Sequence, residues 1–135
     1  MSERFGTESW SVLVPEGWRA WHDAECATLV ADPEIGALQI SAAIKDAVVD
    51  ASDLRAFAAK HLDAGVYPQP IQVGAFVGFS IGFQVEATAW RQWYLRHGAM
   101  ALFVTYNCAV HARGVEDAAV DAALASLLAS GNHVA

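Results

Sequence analysis

Hydrophobic and polar residues alternate with a period of two through most of this chain and switch to helical spacing in two places. Trp10–Val14 is rich in β-branched residues and stops at Pro15-Glu16-Gly17, where proline presets φ for a turn. Trp18–Trp21 resumes in extended style. Ala27–Ala31 predicts a short strand stopped by Asp32-Pro33, and Ile35-Gly36 begins the next turn. Leu38, Ile40, Ala42 and Ile44 then alternate with Gln39, Ser41, Ala43 and Lys45, a half-buried strand. The N-terminal third therefore reads as a β-meander. Further on, every odd position from Val73 to Val85 is apolar, interleaved with Gly74, Phe76, Gly78, Ser80, Gly82 and Gln84. That run predicts two strands joined near Gly78, or one long bent strand, after an extended linker Tyr67-Pro68-Gln69-Pro70. Trp90–Arg96 and Met100–Val110 predict a hairpin across His97-Gly98.

The period changes after Asp46. Ser52-Asp53 offers an N-cap with an acid in the first turn, and Leu54, Phe57, Ala58, His61 and Leu62 follow at helical spacing until Gly65. A second stripe, Val115, Ala119, Val120, Ala123, Leu124, Leu127 and Leu128, begins beside Glu116-Asp117 and predicts a helix closed by Gly131. The order of three or four strands, a helix, four strands and a helix predicts an α+β sandwich. It forms one domain over residues 1–135, an antiparallel sheet with both helices segregated to one face.

The opening Trp10-Ser-Val-Leu-Val-Pro-Glu-Gly-Trp18 is a strand–Pro–x–Gly–Trp entry. The mid-chain helix from Ser52, the long central strands and the terminal helix from Val115 follow it in turn. Over nearly the whole chain this order resembles the Mog1/PsbP-like fold. That group includes a small-GTPase-binding nuclear import factor, photosystem II extrinsic subunits and bacterial proteins, some of them chaperones for secreted type VI effectors. The resemblance implies binding to another protein rather than catalysis, and it transfers no residue roles. An Ala-rich composition with six Arg to two Lys points to the bacterial members.

Composition narrows the partner. With 55% hydrophobic and 17% charged residues, the 135-residue chain has more apolar surface than one small core hides, and a partner groove or a homodimer interface is the expected outlet. The net charge is −7, and the eight basic residues are scattered from Arg4 to Arg113 without a cluster. Phosphate neutralisation needs a basic stripe, so nucleic acid is not an expected partner, nor is an anionic lipid surface. Met1–Thr7 has no apolar core of a signal peptide, and no run approaches the roughly 20 apolar residues of a membrane span. A cytoplasmic protein without membrane insertion is expected. Cys26 and Cys108 sit in strand-like contexts that suit buried free thiols.

Candidate chemistry fails on spacing. His22-Asp-Ala-Glu-Cys26 groups four ligand types, but a zinc site needs a second pair at comparable spacing and none follows. Cys108-Ala-Val-His111 would place its two ligands on opposite faces of a strand. There is no G-x-S-x-G elbow, P-loop or dinucleotide fingerprint, so no catalytic residue, metal ligand or cofactor is expected. His61 falls on the apolar stripe of the first helix, as a structural histidine.

One segment exceeds what a core requires. Trp90-Arg-Gln-Trp-Tyr-Leu-Arg-His97 is apolar on both faces, Trp90 and Tyr94 on one and Trp93 and Leu95 on the other. In the next strand Phe103 lies opposite the Leu102–Val104 face. Aromatic and Arg side chains among small residues have the composition of protein-binding surfaces. Trp90, Trp93, Tyr94, Arg96 and Phe103 are therefore the candidate protein-binding residues, with Phe76 in a shallow trough on the glycine-bearing side of 74–84. The competing expectation is that the N-terminal meander covers this face as a second core layer. A small-ligand site or an unrecognised active site between sheet and first helix, using His97, Tyr106 and Asn107, is the alternative function.

Overall fold

A computed structural model describes residues 3–24 and 26–129. Ten strands form two antiparallel sheets among these residues. The large sheet has seven strands: β3 (Trp18–His22), β4 (Ala27–Ala31), β5 (Gly36–Ile44), β6 (Gln69–Val73), β7 (Phe76–Val85), β8 (Thr88–His97) and β9 (Met100–Ala109). Their spatial order is β3-β4-β5-β9-β8-β7-β6. The small sheet pairs β2 (Trp10–Leu13) with β1 (Arg4–Gly6) on one side and β10 (Leu128–Ala129) on the other. Helices α1 (Ala51–Phe57) and α2 (Ala59–Asp63) connect β5 to β6, and α3 (Asp117–Ala125) precedes β10. The molecule is an α+β sandwich.

The alternation read from the sequence decides which side chain faces which layer. Leu38 and Ile40 of β5, Leu102, Val104 and Tyr106 of β9 and Trp93 and Leu95 of β8 point to one face of the large sheet. There they pack with Trp10 and Val12 of β2 and Val120, Ala123 and Leu124 of α3. This is the main core. Phe79, Ile81, Tyr94 and Ala101 point to the opposite face, where Val49, Leu54 and Ala58 cover them in a smaller second core.

Several expectations need correction. The helices lie on opposite faces, because α3 shares the main core with β2 while α1 and α2 take the second. Only β1 and β2 of the N-terminal meander form a covering layer, since β3–β5 join the large sheet through the β5–β9 ladder. The long alternating run is a hairpin with its turn at Gly74-Ala75 rather than near Gly78, and Gly74 takes a positive φ of 56° there. Gln69 and Pro70, read as linker, already belong to β6. As the terminal strand β6 accommodates proline, whose missing N–H costs no ladder bond on the outer side.

The first helix begins two residues earlier than expected. Asp50 is the N-cap, its carboxylate accepting the Asp53 N–H, while Asp53 accepts the Asp50 N–H in return. It breaks at Ala58 into two short helices. The second predicted helix stops at Ala125. The Ser126 hydroxyl bonds the Ala123 carbonyl and accepts the Leu13 N–H, and the chain then continues as β10 against Trp10 and Ser11. Gly131, its expected terminator, lies outside the described residues.

Candidate functional site

Cross-strand neighbours share a face, so the register lists the side chains of the sheet side that carries α1. One row runs Ser41, Phe103, Tyr94, Phe79, Pro70, and the next runs Ala43, Ala101, Arg96, Val77, Gln72. A third contains Trp21, Thr28, Gln39, Thr105 and Gln92. The rows carry no acid. Although the chain has 15 acidic residues, none falls in any strand among the described residues.

Helix α1 lies over the first two rows where Phe79 and Tyr94 stack at 5.2 Å, and Leu54 and Ala58 close over them. The Tyr94 hydroxyl donates to Gln92 Oε1 at 2.8 Å, and burial raises its pKa. A hollow remains on each side of the helix. Toward β5, the small side chains of Ser41, Ala43 and Ala101 leave a depression of about 290 Å³. Phe57, Tyr94 and Phe103 bound it, and Lys45 shares the lining with its Nζ 5.6 Å from the Phe57 ring centroid. Phe103 is 39% exposed and Phe57 50%. Toward the β6 edge lies a groove of about 550 Å³, which Arg55 of α1 and Arg96 of β8 both line.

The six residues singled out from the sequence do not form one surface. Trp93 is 1% exposed and Phe76 fully buried, both in the main core on the other side of the sheet. Even numbering in β7 faces that core because Gly78 pairs opposite Leu95 and Phe76 packs in the main core with it, so the glycine-bearing side forms no trough with Phe103. Tyr94 is on the right face but lies beneath α1. Trp90 is half-buried and stacks on Phe83 at 6.3 Å, and the His61 ring stacks on the same Phe83 at 4.5 Å. Phe103 and Arg96 remain on accessible surface, one in each hollow.

Phe57, Lys45, Arg55 and Trp21 also belong to this face, and nothing local in the sequence marks them. Phe57 read as part of an apolar stripe, but Leu54, Ala58 and Leu62 at spacing four take the buried position and leave Phe57 on the flank. Trp21 is exposed at the rim of the same face, with Arg19 Cζ 5.3 Å from its ring. Its exposed position near the sheet edge has no signature in a short β-rich run.

The alternative trio does not converge. Tyr106 donates its hydroxyl to Glu116 at 2.6 Å in the main core, Asn107 points to the opposite face, and His97 lies at the far end of β8, donating Nδ1–H to the Ala75 carbonyl. His22 donates to the Gly6 carbonyl and stacks on Phe5, while Asp23 accepts the Cys26 N–H to close the following turn. Among the described residues no three His, Cys, Asp or Glu side chains are grouped to hold a metal ion. Cys26 and Cys108 are free thiols, and only Cys108 is buried. No described helix is long and apolar enough to cross a membrane.

No family model matches the chain, and no curated protein does. Among solved structures it is similar to a crystal structure at 1.50 Å from Bacteroides thetaiotaomicron VPI-5482, with a TM-score of 0.70 and 18% identity. The match covers 94% of this chain and 48% of that one, so the chain spans about half the length of its neighbour. At that identity the likeness establishes the shared fold.

Proposed function

We propose that this protein is a non-enzymatic protein-interaction module, of the adaptor, secretion-chaperone or immunity kind suggested by its resemblance to bacterial Mog1/PsbP-like proteins. It binds a protein partner through the sheet face beside α1. One observation carries the reading: the depression between Phe57 and Phe103 keeps two large aromatic side chains partly in water, over a floor of Ser41, Ala43 and Ala101. Aromatic anchors around a pocket that accepts a partner's side chain are the usual centre of a binding interface. Trp21 extends the surface along the third row, with Arg19 against its ring. The same depression supports a second reading, a small apolar ligand between sheet and first helix, but its volume of about 290 Å³ lies at the lower end for ligand pockets.

Phe103→Ser tests the reading, because the side chain is accessible and its loss leaves both cores filled. Affinity capture from cells of the source organism, compared between wild type and variant at equal loading, is expected to lose the specifically retained protein by about tenfold, with the melting temperature unchanged. Light scattering on the purified protein identifies a second copy as the partner if a wild-type dimer dissociates in the variant. Retention of the same partner by Phe103→Ser, with no change in oligomeric state, would place binding elsewhere.

A further inference from the structure

Four of the six arginines have partners. Arg91 pairs with Asp117 at 3.2 Å and Asp121 at 2.8 Å, and Arg19 with Glu34 at 3.6 Å. Arg113 donates to Gln84, and Arg4 to Ser11 and the Ser126 carbonyl. Arg55 and Arg96 have neither an ion pair nor a hydrogen bond among the described residues, and these two line the same groove. No carboxylate lines it, in a chain where acids outnumber bases 15 to 8. The acids nearest in sequence on α1, Asp50 and Asp53, are occupied in the capping box.

The rest of the groove is apolar: Pro70, Val77 and Phe79 contribute to its lining, with Gln72 beside them. It follows β6, the terminal strand of the large sheet. Pro70 removes one main-chain donor along that edge, which weakens recognition by strand addition and leaves side chains to supply the affinity. Guanidinium forks match carboxylates with two parallel hydrogen bonds, and apolar walls match an aliphatic or aromatic side chain. A free inorganic oxyanion would use the forks and none of the walls.

We infer that the groove between α1 and β6 docks an extended segment of the protein partner that carries carboxylates next to an apolar side chain, with Arg55 and Arg96 receiving the carboxylates. This rests on the protein-binding reading, and adds the partner's chemistry at a second place on the same face. The test is an NMR titration of the whole ¹⁵N-labelled protein with a capped hexapeptide alternating Glu and Leu, with its Lys–Leu counterpart, and with inorganic phosphate.

The Glu–Leu peptide is expected to shift the amide signals of Arg55, Gln72, Val77 and Arg96 saturably. The Lys–Leu peptide should bind at least about tenfold more weakly, and so should the Glu–Leu peptide to an Arg55→Gln/Arg96→Gln double variant that melts like wild type. Equal binding of both peptides, or no saturable shift, overturns the inference. Phosphate producing the same shifts at equal or higher affinity overturns it in favour of a free-oxyanion site. Shifts confined to Ser41, Ala43 and Phe103 overturn the groove alone and leave the protein-binding reading standing.

Discussion

Trp93 and Tyr94 are adjacent in the chain, project to opposite faces, and are both buried, at 1% and 4% exposure. Tyr94 is flanked by Phe79 and Phe103, with the Phe103 centroid 5.0 Å away. Trp93 has Arg91 against it, the guanidinium carbon 4.6 Å from the ring, and that Arg is fixed in turn by Asp117 and Asp121 of α3. Residue type therefore does not distinguish a binding aromatic from a core aromatic here. Trp93→Ala is expected to cost ~3–5 kcal/mol, as for other large core truncations, whereas Phe103→Ala should stay within about 1 kcal/mol of wild type. Urea unfolding of the two variants measures this directly, and comparable losses at both positions would mean that Phe103 is packed rather than available. The alternation was legible because side-chain direction in a strand follows parity alone. Burial was not, because it depends on which distant element lies over each face.

Helix α1 shows the same division between local and distant causes. Its apolar spacing is readable in the sequence, and so is an acidic start, but Ser52, the cap the sequence predicts, turns its hydroxyl to Asp50 instead, donating to Oδ1 at 2.7 Å. That hydroxyl first, then the Asp53 amide, holds the Asp50 carboxyl below its ordinary value of 3.8. A depressed carboxylate stabilises the fold fully above its unfolded pKa and loses that contribution as pH falls through the folded value. Asp50→Asn keeps an acceptor but has no charge to lose. The difference in melting temperature between wild type and Asp50→Asn should therefore hold near neutrality and shrink below about pH 4. A difference independent of pH would show that the charged form contributes nothing to the cap. The end of the second predicted helix had no comparable local signal. Leu128 fits the helical stripe, yet Ser126 turns the chain toward β2, whose Leu13 N–H it satisfies across more than a hundred residues of sequence.

The α3 layer and the large sheet meet at Glu116, a carboxylate only 6% exposed at the start of α3. It accepts the Tyr106 hydroxyl of β9 at 2.6 Å and the Gly36 amide of β5 at 3.1 Å, so one side chain fastens the α3 layer to two strands of the large sheet. Gly36 admits this approach because a Cβ there would overlap the Tyr106 hydroxyl. In the sequence Glu116 read as an ordinary acid at a helix start, since nothing local reports that its partners lie 10 and 80 residues away. Burial, then the hydrogen bond to Glu116, raises the Tyr106 pKa above its ordinary value of 10.0. A raised pKa gives stability that is complete below the unfolded value and declines as pH rises beyond it, because the unfolded tyrosine ionises while the folded one keeps the proton it donates. Tyr106→Phe leaves Glu116 with one donor fewer and should lower stability at neutral pH by ~1–3 kcal/mol. The variant has no hydroxyl to ionise at position 106, so its gap from wild type should narrow between about pH 9 and pH 11. Tyr94, also shifted upward, titrates in both proteins and cancels in the difference. Urea midpoints measured for the pair across that range decide the matter: a gap that stays constant would mean the Tyr106 proton is not what joins β9 to the α3 layer.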